Sequence, residues 1–350
     1  MSGTRTQALD GPRPHPRLRA ARFPISLLIL SVALLGAVTL SLMIGSNPLP
    51  LHATLEALQG GGSPESRYVV QELRVPRTVT GVIVGTALGA AGTLIQAFTR
   101  NPLADPGILG VNAGAAFTVA VGIALFGVRE VSGFVWLAFL GAFAVTVSVY
   151  LIGSSGRGAA DPLRLTLAGV ALGAVFSGMT TGMALSNPDA FDQMRSWNAG
   201  SLLGRGFSVI VPVLPFAGLA VIAALALAPG LNALALGEDV ARAQGANVAG
   251  IRVGVIVAVT VLAGAATALA GPISFIGLMV PHVARWMSGP DQRRIVAVSL
   301  VLAPVIVLLS DVLGRVLISP AEIPVGIMSA FVGAPVLIAL ARRRKASTLS

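Results

Sequence analysis

The sequence contains no cysteine. Disulfides, thiol catalysis, iron–sulfur clusters and cysteine-based zinc sites are therefore excluded. It contains a single lysine, Lys345, close to the C-terminus. No Gly-x-x-x-x-Gly-Lys-Ser/Thr phosphate loop can be written, so any ATP that drives this protein is hydrolysed by another chain. Charge is also scarce: Asp, Glu, Lys and Arg make up 11% of the 350 residues, against about 25% in ordinary soluble domains. The three histidines, His15, His52 and His282, lie far apart. No His-Glu-x-x-His, Gly-x-Ser-x-Gly or paired-carboxylate pattern stands out, so an enzyme has little support. No cofactor of its own is expected.

What the chain has instead is apolar surface. Hydrophobic residues make up 55% and the mean hydropathy is +0.85. A core grows more slowly than the chain around it, so a soluble protein of this length cannot hide that much. The net charge of +10 does not indicate nucleic acid. The basic residues sit in short breaks between apolar runs, as at membrane surfaces, rather than on one solvated face.

Apolar runs cover approximately residues 23–45, 78–98, 107–126, 133–153, 163–185, 207–228, 250–270, 273–288, 295–317 and 323–341. Since about 20 apolar residues cross a bilayer, the predicted fold is all-α, a polytopic membrane helix bundle of about ten transmembrane helices. The seventh and eighth spans meet at Gly271 and Pro272 with almost no linker. The first run exceeds a signal-peptide core and lacks a clear cleavage site. The expected layout is a disordered basic tail at 1–22, a membrane domain at 23–343 with a loop at 229–249 inside it, and a short tail at 344–350. Ten spans put both tails on one side. That side carries 17 of the basic residues and the other side 7, so the tails are expected to be cytoplasmic.

Several local patterns carry more information. Gly81, Gly85 and Gly89, with Gly92 beside them, form a small-residue stripe for close helix approach; Gly169 and Gly173, then Gly178 and Gly182, form another. Gly-Val-Ile-Val occurs at 81–84 and 254–257, on spans of opposite direction, as in an inverted repeat. In the linker 101–107 (Asn-Pro-Leu-Ala-Asp-Pro-Gly), Asp105 is placed to cap the following helix with Pro106 at its first position. Residues 236–246 are expected to form a short helix with Glu238, Asp239 and Arg242 on its solvated side. Residues 187–199 are expected to form an amphipathic interfacial helix, with Trp197 in the interfacial belt. His282 is more readily a packed histidine than a ligand. Asp311 and Arg315 share a helix face and can pair; no proton relay is visible. Arg74, Arg77 and Arg315 break the inside bias, and such an outer set suits an acidic protein partner.

Taken together, the segments 74–77 (Arg-Val-Pro-Arg), Gln96, 99–110, 197–202 (Trp-Asn-Ala-Gly-Ser-Leu), 236–242, 271–285, Asp311 with Arg315, and 322–326 resemble the permeases of cobalamin and iron–siderophore ABC importers. The resemblance runs from about residue 23 to 343. It implies a two-permease, two-ATPase importer fed by an extracytoplasmic substrate-binding protein, with ATP and Mg used by the partner ATPase. It implies that Arg74, Arg77 and Arg315 meet glutamates of the binding protein. Gly237, Glu238 and Arg242 would lie near the ATPase contact, within coupling helices formed by 229–249, and Asn101 and Leu103 would help form a cytoplasmic gate. The implied location is the cytoplasmic membrane. The implied cargo is an iron(III)–siderophore, with cobalamin and haem following. The second permease, a copy or a paralogue, would complete the path along the fifth and tenth spans. An ion-coupled secondary carrier is the main alternative; it would need no ATPase.

Overall fold

The computed structural model describes residues 16–45, 49–155 and 162–347. The remainder of the expected N-terminal tail, Arg157, and 348–350 of the C-terminal tail lie outside the described residues. Among the described residues, fourteen α-helices follow one another: α1 (Pro16–Met43), α2 (Leu51–Leu58), α3 (Pro64–Arg67), α4 (Val75–Thr99), α5 (Val111–Phe126), α6 (Val131–Ser154), α7 (Pro162–Ser186), α8 (Pro188–Asn198), α9 (Phe207–Ala235), α10 (Glu238–Ala243), α11 (Val248–Ala270), α12 (Ile276–Ser288), α13 (Gln292–Leu317) and α14 (Val325–Ser347). Residues 16–22, expected in the tail, belong to the first turns of α1, and α14 runs into the expected 344–350 tail. A π-helical turn joins α3 to α4, and a 3-10 turn, Pro106–Leu109, precedes α5. No strand occurs among the described residues.

Seven of these helices are long and apolar enough to cross a membrane, and Val111–Phe126 and Val325–Ala339 are shorter apolar helices. With α12 these make ten membrane elements. α12 departs from the predicted full span. Its 13 residues extend only about 20 Å, short of the roughly 30 Å hydrocarbon core. Residues 271–275 ahead of it are not helical, and Phe275 takes φ of 70°. Irregular backbone at membrane depth survives only where protein satisfies it. Here the Ser201 N–H donates to the Ala270 carbonyl at 2.7 Å, and the Gly326 N–H to the Gly200 carbonyl at 3.0 Å. Gly200, Gly271 and Gly326 meet at this point, where a Cβ on Gly271 would stand 2.3 Å from the Trp197 carbonyl oxygen.

α4, α11 and α13 form the core. The most apolar window of the span containing α4 is 83% buried, that of α11 78% and that of α13 72%, whereas α1 and α7 reach only 17% each. The α4 glycine stripe explains how these rods approach. Gly81, Gly85 and Gly89 lie against α13, and a Cβ on Gly92 would sit 2.0 Å from the Gly277 carbonyl oxygen of α12. Gln96 locks the same crossing, donating to the Leu278 carbonyl at 3.0 Å and accepting from Arg285 at 2.8 Å. The second predicted stripe behaves differently. Gly169 meets the Ile108 carbonyl, but a Cβ added to Gly178 or Gly182 would find nothing within 4 Å. They open onto the outside of α7.

Because overpacking a tight crossing costs about 1–3 kcal/mol or more, Gly92→Leu is expected to lower the thermal midpoint of the detergent-purified protein. Gly178→Leu is expected to leave it unchanged. Equal effects in a thermal-dispersity assay would refute this division of the two stripes.

Candidate functional site

The polar residues collect at the two ends of the bundle. On the side away from the chain termini, the end of α13 and the start of α4 bring Asp311 between two guanidinium groups. Arg77 Nη2 lies 2.7 Å from Asp311 Oδ1, and its Nη1 2.7 Å from Glu322 Oε2. Arg315 donates through Nε to Asp311 Oδ2 at 3.0 Å and pairs with it again through Nη2. The i,i+4 pairing expected on α13 is therefore present, and Arg77 joins it across 234 positions of sequence.

Arg315, together with Arg74, also terminates α1. The last carbonyls of any helix have no partner within it. Arg315 Nη1 donates to the carbonyls of Ser41 at 2.7 Å and Ile44 at 2.8 Å. Arg74 Nη1 donates to those of Leu42 at 2.8 Å and Met43 at 2.7 Å. Guanidinium charge at a helix C-terminus also complements the helix dipole.

Arg74, Arg77 and Arg315 were expected as an exposed set, and this needs correcting. They are 5%, 8% and 1% exposed. Their charge is drawn inward by the two carboxylates and by the end of α1. They still wall a cavity of about 420 Å³ together with Glu72, Arg205 and Glu322. Arg205, in the loop after α8, was counted among the outer cations but not grouped with the other three. Its Nε donates to the Leu269 carbonyl, and burial pushes its guanidinium down to about 10. Its position in the loop gave no periodic signal tying it to Arg74. Trp197 also differs from expectation. It is 6% exposed and packs inward with Ala190 and Met194 from the amphipathic α8 rather than lying in an interfacial belt.

The termini side holds the linker 101–107 and the loop around α10. Arg100 ends α4 at φ of 51° and donates to the Leu234 carbonyl near the end of α9 at 2.6 Å. Asn101 Oδ1 accepts from the Leu103 N–H at 2.9 Å, an Asx turn, and Leu103 stands exposed. Asp105 accepts from the Gly107 N–H at 2.8 Å; it caps the 3-10 turn, and α5 begins only after Gly110. Burial raises the Asp105 carboxyl while that N–H lowers it, and burial prevails. The loop expected at 229–249 is shorter. α9 continues through Pro229 to Ala235, and α10 occupies Glu238–Ala243. Glu238 and Asp239 each approach Arg242, at 3.4 and 3.5 Å, and Glu238 also pairs with Arg252 of α11. His282 is buried against the Leu278 carbonyl at 3.1 Å, a packed residue as expected.

A model of the FecCD transport family matches residues 32–343. The chain belongs to the FecCD transport family. It is 48% identical over 330 residues to the ferric enterobactin transport system permease protein FepD of Escherichia coli, covering 93% of this chain and 96% of that one. It is 36% identical over 333 residues to the Fe(3+) dicitrate transport system permease protein FecC of the same organism, covering 93% and 100%. A solved inward-facing structure assigned to the metal-chelate type of ABC transporters superposes with a TM-score of 0.81 at 28% identity. It covers 91% of this chain and 99% of that one. This FecCD member is thus a multi-pass membrane permease of a transport system.

Removing one partner of a buried ion pair costs about 3–5 kcal/mol, since the other charge is left uncompensated. Asp311→Asn is expected to lower the thermal midpoint of this permease well below that of Arg74→Ala, which removes the contacts to the Leu42 and Met43 carbonyls at the end of α1. Tryptophan-fluorescence melts in detergent compare the two. A milder Asp311→Asn would overturn the central place given to that carboxylate.

Proposed function

We propose that the chain is the permease subunit of an ATP-binding-cassette importer that carries an iron(III)–siderophore across the cytoplasmic membrane. The observation that carries this reading is its 48% identity, over nearly the full length of both proteins, to a ferric enterobactin permease. The chain cannot form its own phosphate loop, which agrees with ATP and Mg being handled by a partner ATPase. The excess of basic residues on the termini side supports cytoplasmic tails.

The two polar ends fit the two partners such a permease needs. Arg74, Arg77, Arg205 and Arg315 outnumber Glu72, Asp311 and Glu322 by one charge here, which leaves a net positive rim for an acidic binding protein. Docking would draw Arg74, Arg77 and Arg315 partly away from their present partners. Gly237, which precedes α10, and Glu238 and Arg242 on α10 face the ATPase. The outward faces of α7 and α14, with Leu167, Val170 and Phe331 more than half exposed, suit a second permease. The path for the chelate runs between the two copies, closed on the cytoplasmic side by the linker of Asn101 and Leu103. Acidic residues avoid the centres of the spans, as suits a wide path that binds a large chelate weakly.

Reversing Arg74 and Arg77 to Glu is expected to abolish uptake that depends on the binding protein, with residual binding weakening further at high salt. Undiminished uptake, in samples matched for folded permease, would remove these residues from docking. Uptake into proteoliposomes is expected to require ATP inside. Uptake without ATP, driven by a proton or sodium gradient, would identify an ion-coupled secondary carrier instead.

A further inference from the structure

α10 has only six residues. A helix this short is unstable by itself, because nucleation is costly and few bonds offset it. Only Ala241 of α10 is buried. α10 is therefore fixed largely by contacts at and just before its N-terminal end.

Two guanidinium groups make these contacts. Arg252 reaches back from the second turn of α11 to Glu238. Arg252 is 8% exposed, its Nη1 has no partner, and Glu238 is its only carboxylate among the described residues. A cation so near the N-terminus of α11 opposes that helix's own dipole. Nothing within α11 accounts for an arginine there, whereas the Glu238 pair does. At the entry, Arg100 donates to the Leu234 carbonyl, three residues before Gly237. Arg100 also stands immediately before Asn101 in the linker. The start of α10 is thus tied to α11 through Glu238, and the end of α9 just before it is tied to the end of α4 through Leu234; α4 packs against α11 in the core.

We propose that Arg252 is a positioning residue for energy coupling: its ion pair with Glu238 locks α10 to α11, and Arg100 locks the loop's entry to the gate linker, so that a displacement of α10 moves α4 and α11 together. This rests on reading α10 as the ATPase contact. The planar fork of arginine is needed to reach Glu238 from a buried stem, and the compact ammonium of lysine satisfies it only in part.

The test uses the full complex of permease, ATPase and binding protein in liposomes, with ATP hydrolysis and chelate uptake measured together. Arg252→Ala is expected to lower chelate carried per ATP by about fivefold or more, the usual scale of a coupling energy. Hydrolysis and co-purification of the ATPase are expected to persist, with Arg252→Lys intermediate. An unchanged ratio in Arg252→Ala would overturn the inference. Should Arg252→Ala fail to assemble, Arg252→Lys still reports the ratio. Because the chain has no native cysteine, a Glu238→Cys, Arg252→Cys double variant gives a second reading. Bridging the pair with a short bifunctional thiol reagent before the ATPase is added is expected to restore coupling, and capping each thiol singly is not. Equal results from the two treatments would also overturn it. Wild-type complex that takes up chelate without ATP would instead defeat the importer reading itself.

Discussion

One buried carboxylate holds the far end of this bundle together. Asp311 is 1% exposed and lies between Arg77 of α4 and Arg315 of α13. Each arginine then makes a second connection. Arg77 engages Glu322, and Arg315 closes the end of α1. The charges are tolerated at this depth because each is compensated within a hydrogen bond's length. Neutralising Asp311 would leave two guanidinium groups facing each other without the negative charge between them. The placement of α1, α4 and α13 relative to one another is therefore an electrostatic matter at this end and a matter of glycine packing further down.

Much of this was legible in the sequence, since hydrophobic runs report burial in lipid almost directly. Ten membrane elements, the tight α4 stripe, the Asp105 cap in the linker and the short helix before α11 were each visible as local patterns. The departures share a cause. A pattern on one helix states what its face can accept but not which neighbour supplies it. The α7 glycines look like the α4 glycines, yet Gly178 opens outward while Gly85 meets Pro304 of α13. Likewise, an arginine at the edge of an apolar run reads as exposed. The carboxylate that draws Arg77 inward is 234 residues away, and no local window contains both. Pro229 read as a helix terminator, whereas membrane helices tolerate proline when neighbours satisfy the freed carbonyl.

α4 is the element common to both polar ends. Its 25 residues span about 37 Å. Arg77 sits in its first turn and Arg100 caps its last. The intervening residues are small and buried, with glycine where α12 and α13 cross. Such a rod has little room to flex against its neighbours, because interiors packed to native density transmit displacement rather than absorb it. The chain concentrates specific polar bonds at the two ends of this rod and leaves close packing to join them.

The crossing of Gly200, Gly271 and Gly326 sets the kind of movement open to this molecule. Three chain segments pass there at backbone distance, held by the Ser201–Ala270 and Gly326–Gly200 hydrogen bonds. A point shared in this way resists sliding more than turning, so the loop after α8, the end of α11 and the start of α14 share one pivot. It lies at the far end of two long helices, α11 and α14. A small angular change there becomes a displacement of several ångströms at the opposite ends.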